Sequence, residues 1–149
     1  MLTLKDYPLG KTERFGRYEI TREEVLEFAE RFDPQPFHLD DAAAAANPIF
    51  GRLAASGWHT ASATMRMIVD HGKQYGGHSL GGAGLDELHW LKPVYPGDVL
   101  SAAHEVLATT TPKSRPDIAF VKLKTTTYNQ NDEPVMTMTA NIIVASGLA

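Results

Sequence analysis

The chain has 149 residues, of which 43% are hydrophobic and 21% charged, and its formal net charge is −4. This balance predicts one globular domain over 1–149, not a disordered chain. There is no cysteine, which excludes disulfides and thiolate metal sites, and no visible basic patch, which argues against nucleic-acid binding. No apolar run approaches the roughly 20 residues of a membrane span, and the start lacks a signal-peptide pattern, so we expect a cytoplasmic protein without a membrane segment.

The first predicted elements are a strand and a helix. Phe15–Ile20 has the character of a short strand, and Thr21 with Glu24 forms a capping-box pattern that starts a helix over 22–31. Two prolines follow the helix. Because a residue before proline is pushed out of the α region, 33–38 is predicted to be a stiffened loop, not a helix.

Two further helices are predicted before the glycine-rich stretch. Asp40 or Asp41 can cap a short alanine-rich helix over 42–46, and Ser56 can cap a longer one over 57–71. The longer helix is the most apolar one and is expected to be buried against a sheet. Its predicted apolar face consists of Ala61, Thr64, Met65, Ile68 and Val69.

The remainder of the chain has the pattern of strands. Polar loops at 109–117 and 129–134 separate segments that alternate or are rich in β-branched residues. Helices that precede hairpin-connected strands predict an α+β fold with an antiparallel sheet. The predicted strands are 89–91, 99–107, 119–128 and 135–145.

Asp33 and His38 are the first candidates for chemistry. A carboxylate and an imidazole held on one proline-stiffened loop suit general acid–base catalysis near neutral pH, and both can bind one water molecule. The residue types alone leave a structural alternative open, in which Asp33 caps backbone amides and His38 is an ordinary loop histidine.

The segment Ser56-Gly57-Trp58 is the second candidate. The first-turn amides of a helix lack intrahelical partners and favour negative charge, and glycine permits close approach of a substrate to the backbone. A developing thioester oxyanion would suit this position. The alternative is a plain serine-capped helix start. The turn 92–98 is read as structural.

Other catalytic classes find little support in the sequence. There is no His-Glu-x-x-His or comparable spacing, so no metal site is predicted. There is also no phosphate-binding glycine loop and no serine nucleophile elbow. We therefore expect neither a metal nor a separate cofactor.

Three segments in order resemble the MaoC-like dehydratase family of the hot-dog fold, which includes the (R)-specific enoyl-CoA hydratases. They are Asp33-Pro-Gln-Pro-Phe-His38, Phe50-Gly-Arg-Leu-Ala-Ala-Ser-Gly-Trp-His59 and Trp90-Leu-Lys-Pro-Val-Tyr-Pro-Gly-Asp-Val-Leu100. The resemblance covers roughly 15–145 and implies a long central helix wrapped by a curved antiparallel sheet. It also implies a homodimer in which two sheets join.

The resemblance further implies hydration or dehydration of a 2-enoyl thioester, with coenzyme A (CoA) as part of the substrate. Asp33 would activate water, His38 would orient it and help deliver a proton to the α-carbon, and the Gly57 amide would bind the thioester oxygen. Ser56 and Trp58 would contact the substrate beside Gly57. Lys113 and Arg115, on a polar loop, are weaker candidates for the CoA phosphates.

The sequence departs from the family pattern in ways that leave the substrate open. Gln35 stands where asparagine is usual, Ser56 where histidine is usual, and Met65 where some hydratases have serine. Two other functions therefore remain alternatives. One is an acyl-CoA thioesterase of the same fold, and the other is a non-catalytic module that binds acyl thioesters.

Overall fold

The computed structural model describes residues 1–148, which form four α-helices and five β-strands. A 3₁₀ turn at Leu4–Asp6 precedes the first strand. The helices are Arg22–Phe32 (α1), Pro36–Leu39 (α2), Asp41–Ala46 (α3) and Gly57–Gln74 (α4). The strands are Thr12–Glu19 (β1), Gly81–Trp90 (β2), Val99–Thr110 (β3), Ile118–Tyr128 (β4) and Pro134–Ala145 (β5).

The strands form one antiparallel sheet in the order β1-β3-β4-β5-β2. Every second residue of β4 is buried, because alternate side chains point to opposite faces of a sheet. β2 is an edge strand, and most of its residues are exposed. Helix α4 packs against β1 and β3. The predicted α+β hot-dog arrangement, a long helix against an antiparallel sheet, is therefore confirmed.

The buried face of α4 differs from the predicted one. His59, Thr60, Ala63, Thr64 and Met67 are buried, whereas Met65 is 50% and Val69 is 46% exposed. Thr64 is tolerated inside because its hydroxyl contacts both Thr60 O and Thr127 Oγ1. The predicted face is therefore right for Thr64 and wrong for Met65 and Val69.

The proline segment also corrects the prediction. Residues 33–35 are non-helical as expected, but Pro36 begins α2, so Phe37 and His38 are helical. Proline is well suited to the first position of a helix, where its missing N–H would have no partner. The stiff loop is thus shorter than predicted, and His38 lies on a single helical turn.

The predicted caps are mostly confirmed. The Thr21 hydroxyl accepts from Glu24 N, but Glu24 does not complete the capping box, because its carboxylate accepts from the Tyr18 hydroxyl instead. Asp40, not Asp41, caps α3 by accepting from Ala43 N. Ser56 caps α4, which extends three residues beyond the predicted end at 71.

The main core lies between α4, α1 and the first strands. Its largest fully buried members include Ile20, Leu100 and Val25, and a smaller cluster around Val121 and Val144 fills the other end of the sheet. None of the helices within residues 1–148 is both long enough and apolar enough to cross a membrane.

Candidate active site

Asp33 ties the end of α1 to the start of α4. Its Oδ1 accepts a hydrogen bond from Gln35 Nε2 at 2.6 Å, and its Oδ2 accepts one from Ser56 Oγ at 2.6 Å. Ser56 Oγ in turn accepts from Trp58 N at 3.3 Å. The hydroxyl proton of Ser56 is thus directed to Asp33, which fixes the carboxylate relative to the first turn of α4.

His38 faces the same carboxylate oxygen from α2. Its Nε2 lies 3.3 Å from Asp33 Oδ2, and its Nδ1 lies 2.7 Å from Ala54 O. A carbonyl oxygen only accepts hydrogen bonds, so Nδ1 carries the hydrogen and Nε2 is left toward Asp33. The ring is 3% exposed and is flanked by Phe37 and Phe50.

The surroundings keep Asp33 ionised. Burial of the carboxyl raises its pKa, but the hydrogen bonds from Ser56 and Gln35 and the electrostatic effect of nearby His38 outweigh burial, so the pKa of Asp33 is lowered overall. A lowered pKa favours the carboxylate, the form that can accept a proton, at neutral pH.

Gly57 is constrained by Trp90. A Cβ at Gly57 would lie 2.4 Å from Trp90 Cε2, and Trp90 Nε1 donates to Gly57 O at 2.9 Å. The glycine therefore makes room for the indole, a reason that the sequence analysis did not give. Within residues 1–148, no group accepts from the Gly57 N–H, which is available at the start of α4.

Two tryptophans stand beside this helix start. Trp58 is 57% and Trp90 45% exposed, and their rings meet edge to face with centroids 5.0 Å apart. The sequence gives no signal of the Trp90–Gly57 contact, because Trp90 lies 33 positions from Gly57 and only the fold brings the two together.

The predicted CoA-binding residues do not join the site within one protomer. Lys113 and Arg115 lie on the loop between β3 and β4, and Arg115 is paired with Asp117 through two bonds of 2.9 and 2.8 Å. The start of β3 lies near the site, but this loop follows its far end, about 35 Å along an extended strand. Their role stays a prediction.

Arg52 is a nearer cation that the sequence analysis did not select. Its guanidinium lies 3.8 Å from the centroid of the Tyr95 ring, and within residues 1–148 it has no carboxylate partner. It is two residues from Ala54, whose carbonyl accepts from His38. Tyr95 is anchored in turn by a hydrogen bond from its hydroxyl to Phe50 O at 2.6 Å.

Two cavities lie at the other end of α4. One has a volume of about 390 Å³ and the other of about 660 Å³. Neither is lined by Asp33, His38 or Gly57. In the single protomer these three residues therefore lie outside both cavities.

Chemically, Asp33 Oδ2 and His38 Nε2 form a converging pair of proton acceptors. Two acceptors 3.3 Å apart can bind one water through both of its hydrogens, which leaves an oxygen lone pair free to attack a substrate. The Gly57 N–H offers a separate donor for negative charge. Among residues 1–148, no group of three or more metal-ligating side chains occurs.

Comparison with known proteins links this geometry to one family. The family described as MaoC like domain matches residues 7–128. A curated relative, the uncharacterised protein YdeM of Bacillus subtilis (strain 168), is 27% identical over 143 residues, which are 96% of this chain and 99% of the relative.

Solved structures agree in fold over nearly the whole chain. The MaoC-like dehydratase from Rhodospirillum rubrum is 40% identical with a TM-score of 0.87, and the match covers 100% of both chains. The (R)-hydratase from A. caviae involved in PHA biosynthesis is 29% identical with a TM-score of 0.68, and the match covers 92% of this chain and 96% of that one.

Proposed function

This chain belongs to the MaoC-like domain family, and from that premise we propose that it catalyses the reversible hydration of a 2-enoyl-CoA to a 3-hydroxyacyl-CoA. The observation that carries the proposal is the 3.3 Å approach of His38 Nε2 to Asp33 Oδ2 beside the start of α4. The 40% identical MaoC-like dehydratase and the 29% identical (R)-hydratase support the same reaction class.

In the proposed reaction, water adds across the double bond that is conjugated with the thioester. Water donates one hydrogen to Asp33 and the other to His38, and its oxygen attacks C3 while one proton passes to Asp33. The electron pair of the double bond moves toward C2 and the thioester oxygen. C2 then takes a proton from the Asp33–His38 pair, so water is consumed and the protein is returned unchanged.

The Gly57 amide is proposed to stabilise the enolate-like charge on the thioester oxygen. It lies at the first turn of α4, an 18-residue helix whose dipole favours negative charge at that end. Removal of one well-placed oxyanion donor typically costs about 10²–10³ in rate. Trp58 and Trp90 are proposed to flank the acyl thioester, whereas Ser56 acts on Asp33 through its hydrogen bond.

We also propose that the protein acts as a homodimer. β2 leaves one edge of the sheet unpaired, and its large apolar side chains are exposed, with Leu85 51% and Trp90 45% accessible. An uncovered edge of this kind is a template for a strand of a second copy. Pairing through β2 would extend the sheet and bury the exposed surface beside Trp90. The cytoplasmic location remains a prediction.

The assay that tests the reaction supplies a short 2-enoyl-CoA and follows two signals at once. Loss of absorbance by the conjugated double bond without release of free thiol is the expected result. Thiol release alone would instead assign a thioesterase. If neither signal appears across several chain lengths, hydration is refuted and the binding-module alternative gains support.

Substitution of Asp33 and His38 tests the assignment of roles. Asp33→Asn and His38→Ala should each lower kcat/KM by at least about 10², because each removes one proton acceptor. Asp117→Asn is the matched control, since the Asp117 side chain is 60% exposed and lies on the loop between β3 and β4, away from the site. Wild-type rates in either site variant would remove that residue from the mechanism.

A further inference from the structure

A second buried histidine, His59, lies beside the site and has no part in the proposed reaction. It belongs to the first turn of α4, and its backbone N–H donates to Ser56 O at 3.0 Å. The side chain is 3% exposed, and within residues 1–148 neither ring nitrogen has a hydrogen-bond partner. Buried polar atoms without partners lower the stability of a fold, so a residue of this kind indicates a purpose other than stability.

The His59 ring is held by helix α1. It stacks on Phe28, with ring centroids 5.0 Å apart and planes 10° from parallel. Its Nε2 lies 3.7 Å from Glu24 Oε1, which is longer than a hydrogen bond but close enough for electrostatic attraction. Glu24 and Phe28 are four residues apart, so they share the side of α1 that faces the first turn of α4.

The Glu24 carboxylate joins three elements of the fold. The Tyr18 hydroxyl of β1 donates to Glu24 Oε1, which is also the oxygen that faces His59 of α4. A carboxylate oxygen only accepts hydrogen bonds, so the hydrogen of the neutral imidazole belongs on Nε2, toward Glu24. The Glu24 side chain is 37% exposed, so its outer side is open to water.

The groups around His59 favour its neutral form. Burial lowers the pKa of His59, and Glu24 offsets only part of this effect. Burial and then Glu24 raise the pKa of Tyr18 to about 12, so this phenol keeps its hydrogen. Arg66 acts on Tyr18 from α4, but its guanidinium is paired with Asp70 at 2.8 Å. A neutral imidazole and a neutral phenol therefore face one carboxylate.

Helix α1 connects this group to the proposed proton acceptor. The helix ends at Asp33, whose N–H donates to Ala29 O. Phe28 lies five residues before Asp33, or about 7 Å along the axis, so a displacement of α1 at Phe28 moves Asp33 as well. Asp33 Oδ2 and Ser56 Oγ are 2.6 Å apart, and a shift of about 1 Å would break this hydrogen bond.

We propose that His59 is a positioning residue: it sets the spacing between α1 and α4 and so holds Asp33 against the first turn of α4. The proposal rests on the proposed function, because it gives His59 a part in the same reaction. The Nε2–H attracts the Glu24 carboxylate, and the ring supports Phe28. Without the N–H the carboxylate would face an apolar edge, which favours movement of Glu24, and of α1 with it, toward water.

Replacement of His59 by phenylalanine tests this role. It keeps a ring against Phe28 and has a similar helix propensity, but it removes the Nε2–H. Because a misplacement of about 1 Å can cost about 10² in rate, kcat for a short 2-enoyl-CoA should fall about 10- to 100-fold. KM should stay within about twofold of wild type, since His59 is buried and does not touch the substrate.

Stability separates a positioning role from simple packing. The urea midpoint of His59→Phe should equal or exceed that of wild type, because unpaired polar atoms leave the interior. His59→Gln carries an amide nitrogen near the place of Nε2 and should keep kcat within about threefold of wild type. Wild-type kcat in His59→Phe, equal kcat in the two variants, or a fall in kcat only where the midpoint also falls would overturn the proposal.

Substitutions of neighbouring and distant residues locate the effect. Glu24→Ala removes the shared carboxylate and should lower kcat as His59→Phe does, and the double variant should lose little more than either single one. Glu23→Ala removes an exposed carboxylate of the same helical turn and should leave kcat unchanged. His71→Phe replaces a histidine at the other end of α4 that also stacks on a phenylalanine, and it too should leave kcat unchanged. If His59→Phe does not fold, Glu24→Ala against Glu23→Ala decides, and equal losses in these two would overturn the assignment.

The pKa of Asp33 tests the positioning independently of the reaction. The Ser56 hydroxyl helps to lower this pKa, so a weaker bond between the two should let it rise. A carbon-13 NMR titration without substrate should show a higher pKa of Asp33 in His59→Phe than in wild type, and no change in His71→Phe. This result supports the positioning role even if no enoyl-CoA is hydrated. An unchanged pKa of Asp33 in His59→Phe would refute it even if wild type hydrates a short 2-enoyl-CoA.

Discussion

Replacement of Gly57 by alanine tests the contact that shapes the start of α4. The added Cβ would lie 2.4 Å from Trp90 Cε2 and 2.7 Å from Trp90 Cδ2, against an optimal carbon–carbon separation of about 3.5–4.0 Å. The indole must therefore move by about 1 Å or more. Such a shift also breaks the 2.9 Å hydrogen bond from Trp90 Nε1 to Gly57 O.

The magnitude follows from opposing effects on the free energy of unfolding. Forced packing costs about 1–3 kcal/mol, and the lost hydrogen bond about 0.5–1.5 kcal/mol. Alanine returns up to about 1 kcal/mol through its higher helix propensity. Because Trp90 is 45% exposed and can swing outward, we expect a net loss near the lower end, about 1 kcal/mol.

Urea denaturation followed by far-UV circular dichroism measures this loss without relying on tryptophan fluorescence. In a Trp90→Ala background, Gly57→Ala should be neutral or stabilising, because the obstructing ring is gone. Gly81→Ala is the control, since nothing lies within 4 Å of its added Cβ. An equal loss in both backgrounds would refute a Gly57–Trp90 contact of this kind.

Four further substitutions address the electrostatics. Ser56→Ala removes a hydrogen-bond donor that lowers the pKa of Asp33, so the acid limb of the pH profile of kcat/KM should move to higher pH. An unchanged acid limb would show that this hydrogen bond does not set the pKa of the carboxylate. Since burial lowers the pKa of His104 from 6.5 to about 4, the unfolded chain binds this proton first. Urea denaturation of wild type should show that the free energy of unfolding falls by up to about 3 kcal/mol as the pH is lowered from 6.5 to about 4. The free energy of unfolding of His104→Leu should depend less on pH over this interval. Arg52→Ala should raise KM for a CoA ester severalfold. Arg115→Ala should leave KM unchanged, because Arg115 is already paired with Asp117. If instead only Arg115→Ala raises KM, the CoA phosphates bind at the β3–β4 loop.

The local features of the site were predictable from the sequence. The proline segment, the serine cap and the glycine at a helix start each follow from neighbouring residues. The hydrogen bond from Ser56 to Asp33 was not predictable from the sequence, because it joins residues 23 positions apart through the packing of α1 against α4. The start of α2 at Pro36 does not follow from the rule that a residue before proline leaves the α region, because proline itself also suits the first position of a helix.

The face of α4 was mispredicted for an energetic reason. Hydrophobicity assigns Met65 and Val69 to the core and gives Thr60 lower weight, whereas Thr64 was correctly included in the predicted face. In the structure, Thr64 is fully buried because its hydroxyl is satisfied by the helix backbone and by Thr127. Met65 and Val69 instead line the larger cavity.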